Sequence, residues 1–120
     1  MPQKSRRSSA RKKPRKKDLD QAFSRFIRMR DKKCVIAGCG RETDLQCAHV
    51  VSRRYMGVRW SPENAVTLCR NHHVFYTHRP LEWAAWVDVF MGAEEHRQLK
   101  LRALAITKVD YAEVAMRLGL

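Results

Sequence analysis

Six of the nine cysteine and histidine residues fall in two short runs, Cys34-x4-Cys39 and Cys69-x2-His72-His73-x4-His78. A structural zinc site needs two close-spaced ligand pairs. Each pair comes from one tight turn, and the intervening chain folds back to complete the tetrahedron. Cys34, Cys39, Cys69 and His72 are expected to form such a Cys3His site. In a chain of 120 residues, which has room for one modest core, the metal would supply stability that the core cannot. The competing reading is four buried thiols without a ligand. Cys47 is the rival ligand, but its strand position on the Leu45 face favours a packed thiol.

The redox setting agrees with metal ligation. The N-terminus is basic but no apolar stretch follows it, so a secretory signal is not expected. The cysteines are then expected to stay unpaired. No apolar run approaches the roughly 18–20 residues of a membrane span.

Lys and Arg number 25 against 12 Asp and Glu, a formal net charge of +13. The excess sits at one end. Residues 1–17 hold nine Lys/Arg and no acid, leaving a net of +4 for the rest. Such a segment buries too little apolar surface to offset its ordering entropy, so 1–17 is expected to be a disordered tail. It reads either as a solubilising extension or as a phosphate-binding arm for DNA, with Lys12, Lys13, Arg15, Lys16 and Lys17 as its contacts.

Asp18 followed by Gln21 resembles a capping box, and the spacing of Leu19, Phe23, Phe26 and Ile27 predicts a helix over 19–30. Cys34 to Gly40 reads as a glycine-containing knuckle. Residues 44–51 read as a strand with Leu45, Cys47, His49 and Val51 on one face. A basic loop and the turn Ser61-Pro62-Glu63-Asn64 lead to a second strand over 65–68. A short helix from Cys69 to about Thr77 should end before Pro80. Helical periodicity then resumes at Leu81, breaks at Gly92, continues over 93–106, and restarts after a cap at Asp110, with Val109 and Val114 as a staple. The tryptophans read as core, and His96 as a solvent-facing helix residue. The expected fold is a small α+β domain over 18–120: a metal-rich ββα centre at 34–80, one helix before it, and a helical cap at 81–118.

Cys34 and Cys39, Cys47-Ala48-His49-Val50-Val51-Ser52-Arg53, Arg59-Trp60-Ser61-Pro62-Glu63-Asn64 and Leu68-Cys69-Arg70-Asn71-His72-His73 together resemble an HNH endonuclease. The similarity is strongest to the small zinc-containing versions of bacteriophages and prophages. It covers about residues 34–80. The resemblance implies a zinc-stabilised ββα-metal fold and a metal-dependent DNA endonuclease. His49 would be the general base that activates water, Asn64 would orient the base or its loop, and His73 would bind the catalytic ion. That divalent ion (Mg2+, Mn2+ or Ni2+) would stabilise the leaving 3′ oxygen, and the product would carry a 5′-phosphate. Adjacent helical residues point about 100° apart, so His72 could face zinc and His73 the cleft.

Two positions depart from the family pattern. Ala48 stands where most members carry a second ligand to the catalytic ion, and His72 stands where the fourth zinc cysteine is usual. Imidazole replaces thiolate readily at zinc. For the first departure, His78 could supply the missing ligand, or water and phosphate could complete a single-ligand site. Arg53, Arg54 and Arg59 flank the proposed base and are expected to clamp substrate phosphates. No base-reading motif is visible, so the expected partner is double-stranded DNA bound with weak sequence preference. Phage packaging or recombination proteins are further partners the resemblance suggests, in the cytoplasm of a bacterial host. The alternatives are a non-catalytic zinc module that binds DNA or a protein, and an RNA-acting nuclease.

Overall fold

The computed structural model describes residues 13–105 and 108–120. Most of the basic tail, Lys12 included, therefore lies outside the described residues. The elements in chain order are α1 (Lys16–Asp31), β1 (Leu45–His49), β2 (Ala65–Cys69), α2 (Arg70–Thr77), α3 (Pro80–Met91), α4 (Ala93–Leu104) and α5 (Tyr111–Arg117). No helix is long and apolar enough to cross a membrane among the described residues.

Helix α1 starts at Lys16, three residues before its apolar periodicity begins. The reason is the role of Asp18, which is not the cap itself. It occupies the third helical position and accepts the backbone N–H of Arg15 at 3.2 Å, one half of a capping box. Lys16 and Lys17 are thus helical. At the other end of the chain the cap falls where expected: the Asp110 carboxylate accepts from the amides of Ala112 at 3.0 Å and Glu113 at 3.3 Å.

β1 and β2 pair antiparallel, from Leu45 opposite Cys69 to His49 opposite Ala65. Every residue of β2 is buried, because the hairpin is packed on both faces. On one side Leu19, Phe23 and Ile27 of α1 meet Trp60, Ala65, Val114 and Ala115. On the other, Cys34, Ala48, Val66, Leu68 and Cys69 pack with Tyr76, Trp83 and Trp86. A third cluster of Val58, Leu99 and Ala103 anchors α4 to the connection between the strands.

The two edges of the hairpin are treated differently. The outer edge of β2 is capped by neighbouring chain: Thr67 N–H donates to Asp31 at 2.9 Å and Val35 N–H donates to the Thr67 carbonyl at 3.0 Å. The outer edge of β1 instead borders an open cleft. A covered edge resists unwanted strand pairing, and an uncovered one leaves room for a ligand.

Two expectations need correction. Cys47 packs with the α1 cluster and the His49 ring lies 5.5 Å from that of Phe23, but Leu45 packs with the opposite cluster. Strict alternation fails across a short twisted hairpin enclosed on both faces. His96 is not solvent-facing: it is 5% exposed, with Nδ1 2.7 Å from Asp88 Oδ1. Helices α3 and α4 fold back on each other at Gly92, which puts the His96 face of α4 against α3. Of the tryptophans, Trp60 is buried. Trp83 and Trp86 are half-buried and stack at 5.2 Å.

Candidate active site

The start of α2 brings the two ligand pairs together. Gly38 adopts φ +82° in the knuckle, a left-handed turn that a residue with a Cβ rarely takes. It lets Cys39 return toward Cys34. The ligand atoms of Cys34, Cys39, Cys69 and His72 all lie within 4.8 Å of one another. Bond lengths to zinc imply tetrahedral edges of about 3.8 Å between sulfurs and about 3.6 Å from sulfur to nitrogen. The Cys39–Cys69 sulfur separation is 4.0 Å, and His72 Nδ1 lies 3.5 Å from Cys34 Sγ and 3.3 Å from Cys69 Sγ. These four residues can hold one metal ion, and their donors fit zinc. Cys47 is outside the quartet. Burial is the main cause that pushes its thiol pKa up to about 12, so it is an inert packed thiol.

The cleft beside β1, about 770 Å3, is lined by both His49 and His73. His49 closes β1. One of its ring nitrogens, Nε2, lies 3.0 Å from the Arg59 carbonyl oxygen. A carbonyl only accepts, so Nε2 carries the hydrogen and the lone pair sits on Nδ1. Burial is the main reason the His49 pKa falls below its ordinary value; the carbonyl and Asp20 oppose that shift.

His73 is set by the same logic with the nitrogens exchanged. Its Nδ1 lies 2.6 Å from the side-chain oxygen of Gln46, so Nδ1 donates and Nε2 keeps the lone pair. Burial lowers its pKa as well. An imidazole whose second nitrogen donates to a carbonyl is the usual arrangement of a metal-binding histidine.

Residues 34–79 match the HNH endonuclease family.

No curated protein and no solved structure matches the chain. Within the HNH segment, Asn64 is fully buried and stands away from the cleft lining. Its Oδ1 accepts from Val51 N–H at 2.8 Å, and its Nδ2 donates to the carbonyls of Val51 and Val58, each at 3.0 Å. It ties the chain leaving His49 to the chain approaching Arg59.

The basic residues divide. Arg53 lines the cleft and Arg54 is exposed, its guanidinium 5.6 Å from the Tyr55 ring centre. Arg59 departs from the expectation of a free phosphate clamp. Its Nε and Nη2 donate to the two Asp20 oxygens at 3.0 and 2.6 Å, and Nη1 donates to the Arg53 carbonyl at 3.2 Å. The guanidinium is committed inside the fold. His78 caps the C-terminal end of α2, is exposed, and does not line the cleft. Lys13, Lys16 and Lys17 are exposed at the start of α1 and also lie outside the cleft lining.

Asp20 and Gln46 escaped the sequence reading. Besides Arg59, Asp20 accepts from Trp60 Nε1 at 2.9 Å and Arg53 Nη1 at 3.3 Å. Burial pushes its carboxyl up, but the bonds from Arg59 and Trp60 and the nearby arginine charges outweigh it, so its pKa lies below the ordinary value. Asp20 belongs to α1, outside the HNH segment, yet it holds the side chain of the residue whose carbonyl orients His49. No local signal marks it, because its partners lie 33 to 40 residues away. Gln46 offered one weak sign, a polar residue between the apolar Leu45 and Cys47 of β1.

Proposed function

We propose that the chain is a metal-dependent DNA endonuclease with His49 as general base. The observation that carries this reading is a pair of histidines on one cleft, each with one ring nitrogen bound to a carbonyl oxygen and the other left with its lone pair. His49 Nδ1 would take a proton from water as its oxygen bonds to phosphorus, and the bond from phosphorus to the 3′ oxygen breaks. The product end is a 5′-phosphate. A neutral imidazole at cellular pH suits that task, and lowered pKa values keep both rings neutral there.

His73 Nε2 is the donor for a catalytic divalent ion, with Gln46 fixing its tautomer. Such an ion, when bound, polarises the scissile phosphate and offsets charge on the departing oxygen. Ala48 has no donor atom and His78 lies outside the cleft. The protein thus offers a single imidazole, and water and phosphate oxygens would complete the shell. The Cys34, Cys39, Cys69 and His72 quartet would hold structural zinc. Arg53 and Arg54 would contact substrate phosphates, and the basic N-terminal residues would add sequence-independent affinity. The proposed substrate is double-stranded DNA, cut with weak sequence preference.

The lone imidazole also favours a second reading, a zinc-stapled DNA-binding module without catalysis. Incubating plasmid DNA with the protein and Mg2+, Mn2+ or Ni2+, alongside His49→Ala, separates the two. Nicking by wild type and its loss in the variant supports the nuclease. Equal nicking by both, or none by either, overturns it, and tight binding without nicking leaves the module. Labelled RNA in competition tests the substrate class.

A further inference from the structure

A second, shallower groove of about 340 Å3 runs along α1 and is lined by Asp20, Gln21, Ser24, Arg25 and Arg28. It shares Asp20 and Ser24 with the lining of the main cleft, so the two are adjacent. Its arginines lack the acid partners that others have, as Arg97 has Glu94 at 2.8 Å and Arg102 has Glu63 at 2.8 Å. No acid pairs with Arg25 or Arg28 among the described residues. The one carboxylate in the groove, Asp20, is neutralised by Arg59 and Arg53. Arg28 is also held in place: its Nε lies 3.2 Å from both the Ser24 carbonyl and the Ser24 hydroxyl. That contact leaves the terminal nitrogens to bind an anion, with little side-chain entropy left to lose.

We infer that the α1 groove is a backbone-binding track for duplex DNA, with Arg25 and Arg28 each engaging a phosphate outside the cleft. From Asp20 to Arg28 the helix runs about 12 Å at 1.5 Å per residue. At 3.4 Å per nucleotide along one strand, that covers about four steps. Substrate entering the cleft would continue along α1, which accounts for a groove built from residues the HNH segment does not contain.

This inference rests on the proposed nucleic-acid substrate but not on catalysis, so binding is measured in the full chain carrying His49→Ala. Adding Arg25→Gln and Arg28→Gln should lower the slope of log affinity against log salt by about 1.8, that is, 0.9 per phosphate. Arg25→Gln alone, at an exposed side chain with no ion pair to lose among the described residues, should lower it by about 0.9. Arg97→Gln with Arg102→Gln is the control and should leave the slope unchanged. Shortening the duplex by about four base pairs from one end should lower the parent's slope by about the same 1.8, and should lower the double variant's no further. An unchanged slope in folded Arg25→Gln overturns the track, as does a change confined to duplex RNA. A wild type that never cleaves, combined with the expected slopes, would sink the nuclease reading and leave the groove standing.

Discussion

His49 Nε2 donates to the Arg59 carbonyl at 3.0 Å, and this single bond decides which nitrogen can act as a base. As the proposed base, the imidazole works only when neutral. Its pKa lies below the ordinary value of 6.5, mainly through burial. Cleavage should therefore be level at neutral pH and fall on the acid side only below about pH 6.5. Single-turnover rates against pH, at fixed metal, test this, and an acid limb above that value contradicts it. His49→Ala should lower the rate by about 10^2–10^4-fold.

Under the proposed mechanism Gln46 acts through His73. Gln46→Ala frees the His73 ring to adopt the other tautomer, so the concentration of divalent ion needed for half-maximal cleavage should rise about 10–100-fold. Gln46→Glu keeps an accepting oxygen and should restore the affinity. The rate at saturating ion should change little in either variant. Equal metal dependence in all three proteins would show that the 2.6 Å contact is incidental.

Removing one member of the proposed zinc quartet should remove a metal staple from the fold. Cys34→Ser or Cys69→Ser is expected to lose stoichiometric zinc and melt at much lower temperature, and a strong chelator should do the same to wild type. Cys47→Ser, outside the quartet, should retain full zinc content. Metal analysis beside thermal melts distinguishes these outcomes.

Asp20→Asn removes a carboxylate that holds Arg59, Trp60 and Arg53 together, at an expected cost of about 2 kcal/mol at pH 7. The sign with pH follows from its lowered pKa. The folded carboxyl ionises more readily than the unfolded one. Its contribution is therefore complete above the unfolded value of about 3.9 and is lost as pH falls through the folded value. Urea melts should show a gap between wild type and variant that holds from pH 7 to about 5 and narrows at lower pH. Cleavage should fall as well, since the Arg59 carbonyl loses its anchor.

Much of the fold is legible in local pattern. The Asp110 cap, the helix break at Gly92 and the pairing of Cys34 and Cys39 with Cys69 and His72 depend on residues a few positions apart, or on ligand spacing that admits few closures. The start of α1 is not legible in the sequence because Asp18 can serve as a cap or as the third residue of a capping box, and only the backbone conformation of Arg15 chooses between them. The burial of His96 was hidden because an exposed and a packed helix face differ only in what folds against them.

What the residues determine by themselves is the chemistry available: three thiols and an imidazole for one metal, an imidazole at the end of a strand, another at the start of a helix, and a strongly basic surplus. What the tertiary structure decided is which of those groups are free to act. Arg59 is spent on Asp20, His78 is left outside the cleft, and His49 and His73 are each oriented by a carbonyl. The physical reason is reach. A hydrogen bond acts over about 3 Å, and the partners that settle these questions lie between 10 and 40 residues away in the chain.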